Sequence, residues 1–244
     1  MKLPTIQGVI RRRLLLNYRI DPEVAADQLP KNFRPKLHNG FAIAGICLIR
    51  LEEVRPSGFP KILGISSENA AHRYAVTWQN DKDEQEEGVF VPRRDSNSSI
   101  VCLAGGRIFP GYHYRSRFEI TDLDGMIKMQ IEGSEFDSPT VRLQVREADQ
   151  FPENSIFESL AASSKFFENG STGYSFRPHK DYLEGLYLDV PKWVVTPLQT
   201  EKIESAYFDD KHLFPEGSIE FDHALLMRDI EHSWHERPII QSVI

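Results

Sequence analysis

The chain has 244 residues, 40% hydrophobic and 27% charged, a balance with enough apolar surface to offset the entropy of ordering a globular core. A net charge of -7 and a pI near 5.7 argue against a surface that grips a phosphate backbone, which takes clustered cations. The densest basic run, Arg11 to Arg13, leads into three leucines only, far too short a stretch for a signal peptide or a membrane span. One domain over residues 1–244 is therefore expected, cytoplasmic, with no nucleic-acid and no membrane partner.

In chain order, IDPEVAADQLP reads as a short helix: Asp21 caps the free amides, Pro22 suits the first turn and Pro30 ends the run. FAIAGICLIRLEEV, HRYAVTWQ and EEGVFVPR are then β-branched or aromatic runs between turn-forming clusters, which is strand patterning. The acidic NDKDEQEEG between two of them lacks the ligand spacing and central glycine of a calcium loop and reads as a solvated hairpin tip. Cys47 and Cys102 both lie in apolar runs, where a free thiol acts as a small hydrophobe; two cysteines make no disulfide framework.

DSNSSIVCLAGG has capping residues before an apolar stretch and two glycines after it, and is expected to be a short helix. YRSRFEITD, MIKMQIEG and TVRLQVRE form a meander over residues 114–147, with Asp124-Gly125 as the hairpin turn. SIFESLAASSKFF, with Ser155 and Glu158 at capping-box spacing, predicts another helix. LEGLYLDV, WVVTPLQTEKIESAYF and SIEFDHALLMRDI return to strand patterning. Many strands and few helices give a mainly β (α+β) fold, an antiparallel β-barrel or a sandwich, closed because closure removes exposed edges.

Walker, GxGxxG, HExxH and GxSxG signals are absent, and no cofactor is expected. His232 and His235 are three apart; a helix would put both on one face for a metal and a strand would oppose them, so they read as surface histidines and no metal site is assigned. GGRIFPGYHYRS, residues 105–116, crowds Arg107, Tyr112, His113, Tyr114 and Arg115 behind a glycine pair. His113 is the acid or base of choice there, because its pKa lies near neutrality. Packed rings in an ordinary strand are the plain alternative.

The serial order of features resembles the acetoacetate decarboxylase superfamily: NYRIDPEVAADQLP near the start, then Glu68, HRYAV, a charged tip, GVFVPRRDSNSS, a short helix, GGR and the aromatic segment. Within it the chain looks most like a domain-of-unknown-function branch. The resemblance implies a barrel of that type holding a small keto acid, with Glu68 as the active-site carboxylate, one of Arg11 to Arg13 as its early arginine, and Arg107 as the Gly-Arg element, suited to a carboxylate by its two parallel donors. It also carries an expectation of homo-oligomerisation. In the decarboxylases a lysine just after that element forms an imine with the substrate. Here the paired lysines fall on Tyr114 and Arg115, within one residue, and no lysine lies between Lys82 and Lys128. Neither residue is an amine nucleophile, so decarboxylation by the family route is not expected unless a remote lysine such as Lys61, Lys128 or Lys180 enters the pocket.

The residues and the resemblance together point to a barrel binding a small, anionic, carboxylate-bearing or otherwise polar molecule. Glu68, His113 and Tyr114 are its candidate catalytic groups, and Arg11, Arg107, Tyr112 and Arg115 its candidate ligand-binding groups. Two alternatives stand beside it: a lyase, hydratase or isomerase using Glu68 and His113 for proton transfer, and a scaffold whose barrel is filled by side chains.

Overall fold

Runs of branched and aromatic residues pair into thirteen strands among the residues that the structure, a computed structural model, describes: 5–104, 110–133 and 140–242. They are β1 (Ile6–Ile20), β2 (Arg34–Pro35), β3 (Leu37–His38), β4 (Phe41–Pro56), β5 (Ile65–Gln79), β6 (Gln85–Ser96), β7 (His113–Leu123), β8 (Met126–Gly133), β9 (Val141–Glu147), β10 (Thr172–Phe176), β11 (Tyr182–Asp189), β12 (Thr196–Ser205) and β13 (Ile219–Gln241). Three short helices interrupt them: α1 (Pro22–Asp27), α2 (Ser99–Ala104) and α3 (Leu160–Asn169).

Local chemistry explains several element ends. The Asp21 carboxylate accepts from the amides of Glu23 at 2.9 Å and Val24 at 3.5 Å, and Pro22 opens α1. Asp124 and Gly125 both take positive φ, 52° and 72°, which turns β7 into β8. The expected start of α3 at Ser155 is corrected: the Ser155 hydroxyl donates to Asp222 at 2.6 Å, and Ser159 caps a helix that begins at Leu160. His232 and His235 lie on β13, where three-residue spacing opposes them; His232 is buried against Trp234, not on the surface.

The strand pairings trace two closed circuits that share β13, β1, β4, β5 and β6. One continues from β6 through β7, β8, β9 and β12 back to β13. The other continues from β6 through β10 and β11 to β13. Two strands make this possible by dividing one edge. On β6, Val89 and Phe90 pair with β10 while Arg94 to Ser96 pair with β7, and both of these junctions are parallel. On β13, Ala224 to Leu226 pair with β12 and Ser233 to Gln241 with β11.

Because strand side chains alternate, the shared strands present one set of residues to each circuit. Leu14, Leu16, Ile46 and Leu48 join Ile127, Leu143 and Leu226 in the core of the first circuit. Leu15 and Cys47 face the other way, toward a smaller core that α3 covers with Phe166 and Phe167. Two bulges reset the alternation. On β1, Arg11 is the extra residue between Ile10, opposite Leu51, and Arg12, opposite Arg50. On β6, Val91 and Pro92 together oppose Arg73, since Phe90 pairs with Tyr74 and Arg93 with His72.

Candidate functional site

The second circuit encloses a cavity of about 160 Å³. Ile49, Leu51, Val54, Leu186, Leu188 and Trp234 supply an apolar wall. The polar wall is cationic: Arg13 from β1, Arg73 from β5 and Arg94 from β6, with Asp95 and His113 beside them. The β6 bulge brings Arg94 inward. Without the extra residue the alternation of Val89 and Val91 would continue to Arg93.

None of the three cavity arginines pairs with a carboxylate among the described residues. Arg13 donates from Nε to Cys47 Sγ at 3.3 Å, and its guanidinium lies 5.3 Å from the centre of the Trp193 ring. Arg73, 4% exposed, donates to Asn17 Oδ1 at 2.5 Å and lies 4.8 Å from the Phe167 ring, while its Nε has no partner. Arg94 donates to the Pro110 carbonyl at 2.9 Å and the Ser175 hydroxyl at 3.3 Å. Burial lowers both Arg73 and Arg94 to about 10, which leaves them charged at neutral pH. Asp95 does not answer these charges, being held by Arg93 at 2.8 Å and by the Ser116 hydroxyl at 2.9 Å.

Arg73 is fixed from behind by a buried polar chain. Asn17 Nδ2 and the Ser163 hydroxyl both approach His223 Nε2, at 3.1 and 2.7 Å, so that nitrogen accepts and Nδ1 donates to Asp222 at 2.5 Å. Asn17 therefore keeps its carbonyl oxygen toward Arg73.

The sequence-selected residues divide between the two faces. His113 reaches the cavity, its Nε2 3.3 Å from the Pro110 carbonyl oxygen. Ser67 and Asn69 line the cavity, and Glu68 between them points into the first circuit, where Arg12 meets it at 2.9 Å and Arg50 at 3.8 Å. Arg12 also reaches Asp122 at 3.2 Å, which Arg228 holds at 2.8 Å. Burial raises the Glu68 pKa, with Arg12 and Arg50 opposing. Tyr114 shares that face, its ring 4.0 Å from the Arg93 guanidinium. Tyr112 and Arg115 are exposed. Arg11 sits on the surface between Glu52 at 2.9 Å and Asp229 at 2.7 Å, so the member of its triplet that reaches the cavity is Arg13. Arg107 lies outside the described residues.

No lysine lines the cavity among the described residues; Lys61 pairs with Glu53 on the surface, and Lys128 and Lys180 are exposed. Arg73 and Arg94 were missed in the sequence. Their signal was a cation inside an apolar strand run, HRYAV and GVFVPRR, the second marked by a mid-strand proline that suggests a bulge.

The sequence profile of the DUF2071 family, described as an uncharacterised conserved protein, matches residues 9–216. Among curated proteins none matches the chain in sequence. Several solved structures share its fold. Acetoacetate decarboxylase from Legionella pneumophila superposes with a TM-score of 0.65 at 12% identity, covering 99% of this chain and 88% of that one. An acetoacetate decarboxylase-like enzyme from Sphingomonas wittichii RW1 gives 0.61 at 12% identity over 100% and 95% of the two chains. The enduracididine biosynthesis enzyme MppR, complexed with pyruvate, gives 0.58 at 9% identity over 99% and 91%.

Proposed function

The chain belongs to the DUF2071 family, and from the charge on its cavity wall we propose that it binds a small carboxylate-bearing anion there and forms no imine with it. One observation carries this reading: Arg13, Arg73 and Arg94 line one cavity, and their partners among the described residues are all neutral. A buried cation without a counter-charge is costly, and a ligand carboxylate removes that cost while matching the guanidinium fork. The apolar wall suits a short carbon chain. MppR, which shares the fold, is complexed with pyruvate, a ligand of this class.

Calorimetric titration with pyruvate, acetoacetate and succinate tests the proposal: at least one should bind, and binding of none would overturn it. Borohydride reduction in the presence of pyruvate should leave the protein mass unchanged, and a labelled lysine would restore the imine route. The cytoplasm remains the expected location, on composition; among the described residues no helix is long and apolar enough to cross a membrane.

A second reading, turnover of the ligand by general acid–base catalysis in a lyase, hydratase or isomerase, is favoured by His113 reaching the same cavity. Glu68 lies behind β5, so in that reading His113 moves the proton. His113→Gln would then bind ligand and lose turnover, whereas a pure binder has no turnover to lose.

A further inference from the structure

Cys47 reads in sequence as a small hydrophobe within AGICLIR, and its 8% exposure agrees with that. Its surroundings do not. The side chain lines the cavity, Arg13 Nε donates to its sulfur at 3.3 Å, and the sulfur lies within electrostatic reach of both Arg73 and Arg94. Arg13 continues past it to Met227 Sδ at 3.9 Å, so the guanidinium meets two sulfurs. Arg73 Nε, buried in the same wall, has no partner. A ligand held by its carboxylate on these arginines presents its next carbons at high effective concentration to the sulfur alongside.

We propose that Cys47 is a nucleophile directed at small anionic electrophiles, namely carboxylates with an electrophilic carbon next to the carboxyl-bearing carbon or on it. With a 2,3-unsaturated acid the sulfur electron pair forms the S–C bond at the β-carbon. The double-bond pair moves to the α-carbon, which takes up one proton for the one the thiol gives up, and nothing is oxidised or reduced. With a 2-halo acid the same pair displaces halide. The proposal rests on the cavity binding anions.

The test compares iodoacetate, which carries the carboxylate, with iodoacetamide, its neutral counterpart. Labelling rates of the Cys47 peptide are read by mass spectrometry in folded protein and in urea-unfolded chain. The iodoacetate-to-iodoacetamide rate ratio should be about tenfold higher in the folded protein, as expected for carboxylate positioning, and should fall toward the unfolded ratio in Arg13→Met. A folded ratio equal to or below the unfolded one, or no labelling of folded Cys47 by either reagent, would overturn the proposal. Pyruvate titration of Cys47→Ser separates the two levels: binding retained without a labelling preference sinks only the nucleophile, while absent binding in this variant and in the wild type sinks the anion site with it.

Discussion

Arg12 and Arg13 are neighbours on β1, yet Arg12 ends against Glu68 and Asp122, whereas Arg13 ends against Cys47, Met227 and the Trp193 ring. The first belongs to an ion cluster that answers its own charge within the protein. The second belongs to a wall of three guanidiniums whose partners among the described residues are all neutral. Burial alone does not separate structure from function here, since Arg12 and Arg73, one from each set, are both buried. Whether the protein supplies the counter-charge does.

The contrast is broken most severely at Arg12. Arg12→Ala leaves Glu68 buried with only the more distant Arg50, and should lower stability by about 3–5 kcal/mol in urea denaturation, the usual cost of orphaning one member of a buried pair. If it loses no more than an exposed pair would, the cluster does not brace the fold.

Next comes acid sensitivity within the first circuit. His72 packs against Tyr207 and Phe208 with neither ring nitrogen partnered, and burial lowers its pKa from 6.5 to about 4. A base with a depressed folded pKa contributes stability that is full above pH 6.5 and drains away as pH falls toward 4. Its share is on the order of 3 kcal/mol. His232, also lowered to about 4, adds a slope of the same sign. His72→Phe should flatten the pH dependence of the unfolding midpoint between those limits, and an unchanged profile would show that His72 does not titrate in this way.

At the cavity the expected effect moves from stability to binding. Arg13→Met keeps an unbranched chain beside Cys47 and Trp193 and removes the charge. Carboxylate affinity should fall about tenfold, or roughly 1.4 kcal/mol, while the unfolding midpoint holds or rises. A large loss of stability would place Arg13 with Arg12 as a structural cation. Arg11→Ala is the smallest case: this exposed residue of a bulge should leave the midpoint and the binding isotherm unmoved.

Features governed by neighbouring residues were legible in the sequence. The Asp21 cap with Pro22, the Asp124-Gly125 turn and the alternation of β7 to β9 each depend on a few consecutive residues, and the closed, mainly β class follows from their repetition. The site was less legible because it depends on distant pairing. Whether Arg11, Arg12 or Arg13 faces the cavity is decided by a bulge against β4, and the aim of Arg94 by one against β5. The start of α3 was misread because Asp222, 67 residues away, takes the Ser155 hydroxyl. Glu68 was singled out only through the resemblance, as an active-site carboxylate, and that it faces away from His113 depends on the alternation of β5 between the two circuits.

The strand that joins the two circuits also orders events during synthesis. β1 and β13 pair Ile6 with Trp234 and Ile20 with Ile219, so neither ring can close until β13 has left the ribosome. Until then β1 keeps one edge open while β4 occupies the other. Such long-separation closure slows folding and prolongs the exposure of a pairing edge, which makes the interval before β13 arrives the time when nascent chains are most prone to join one another.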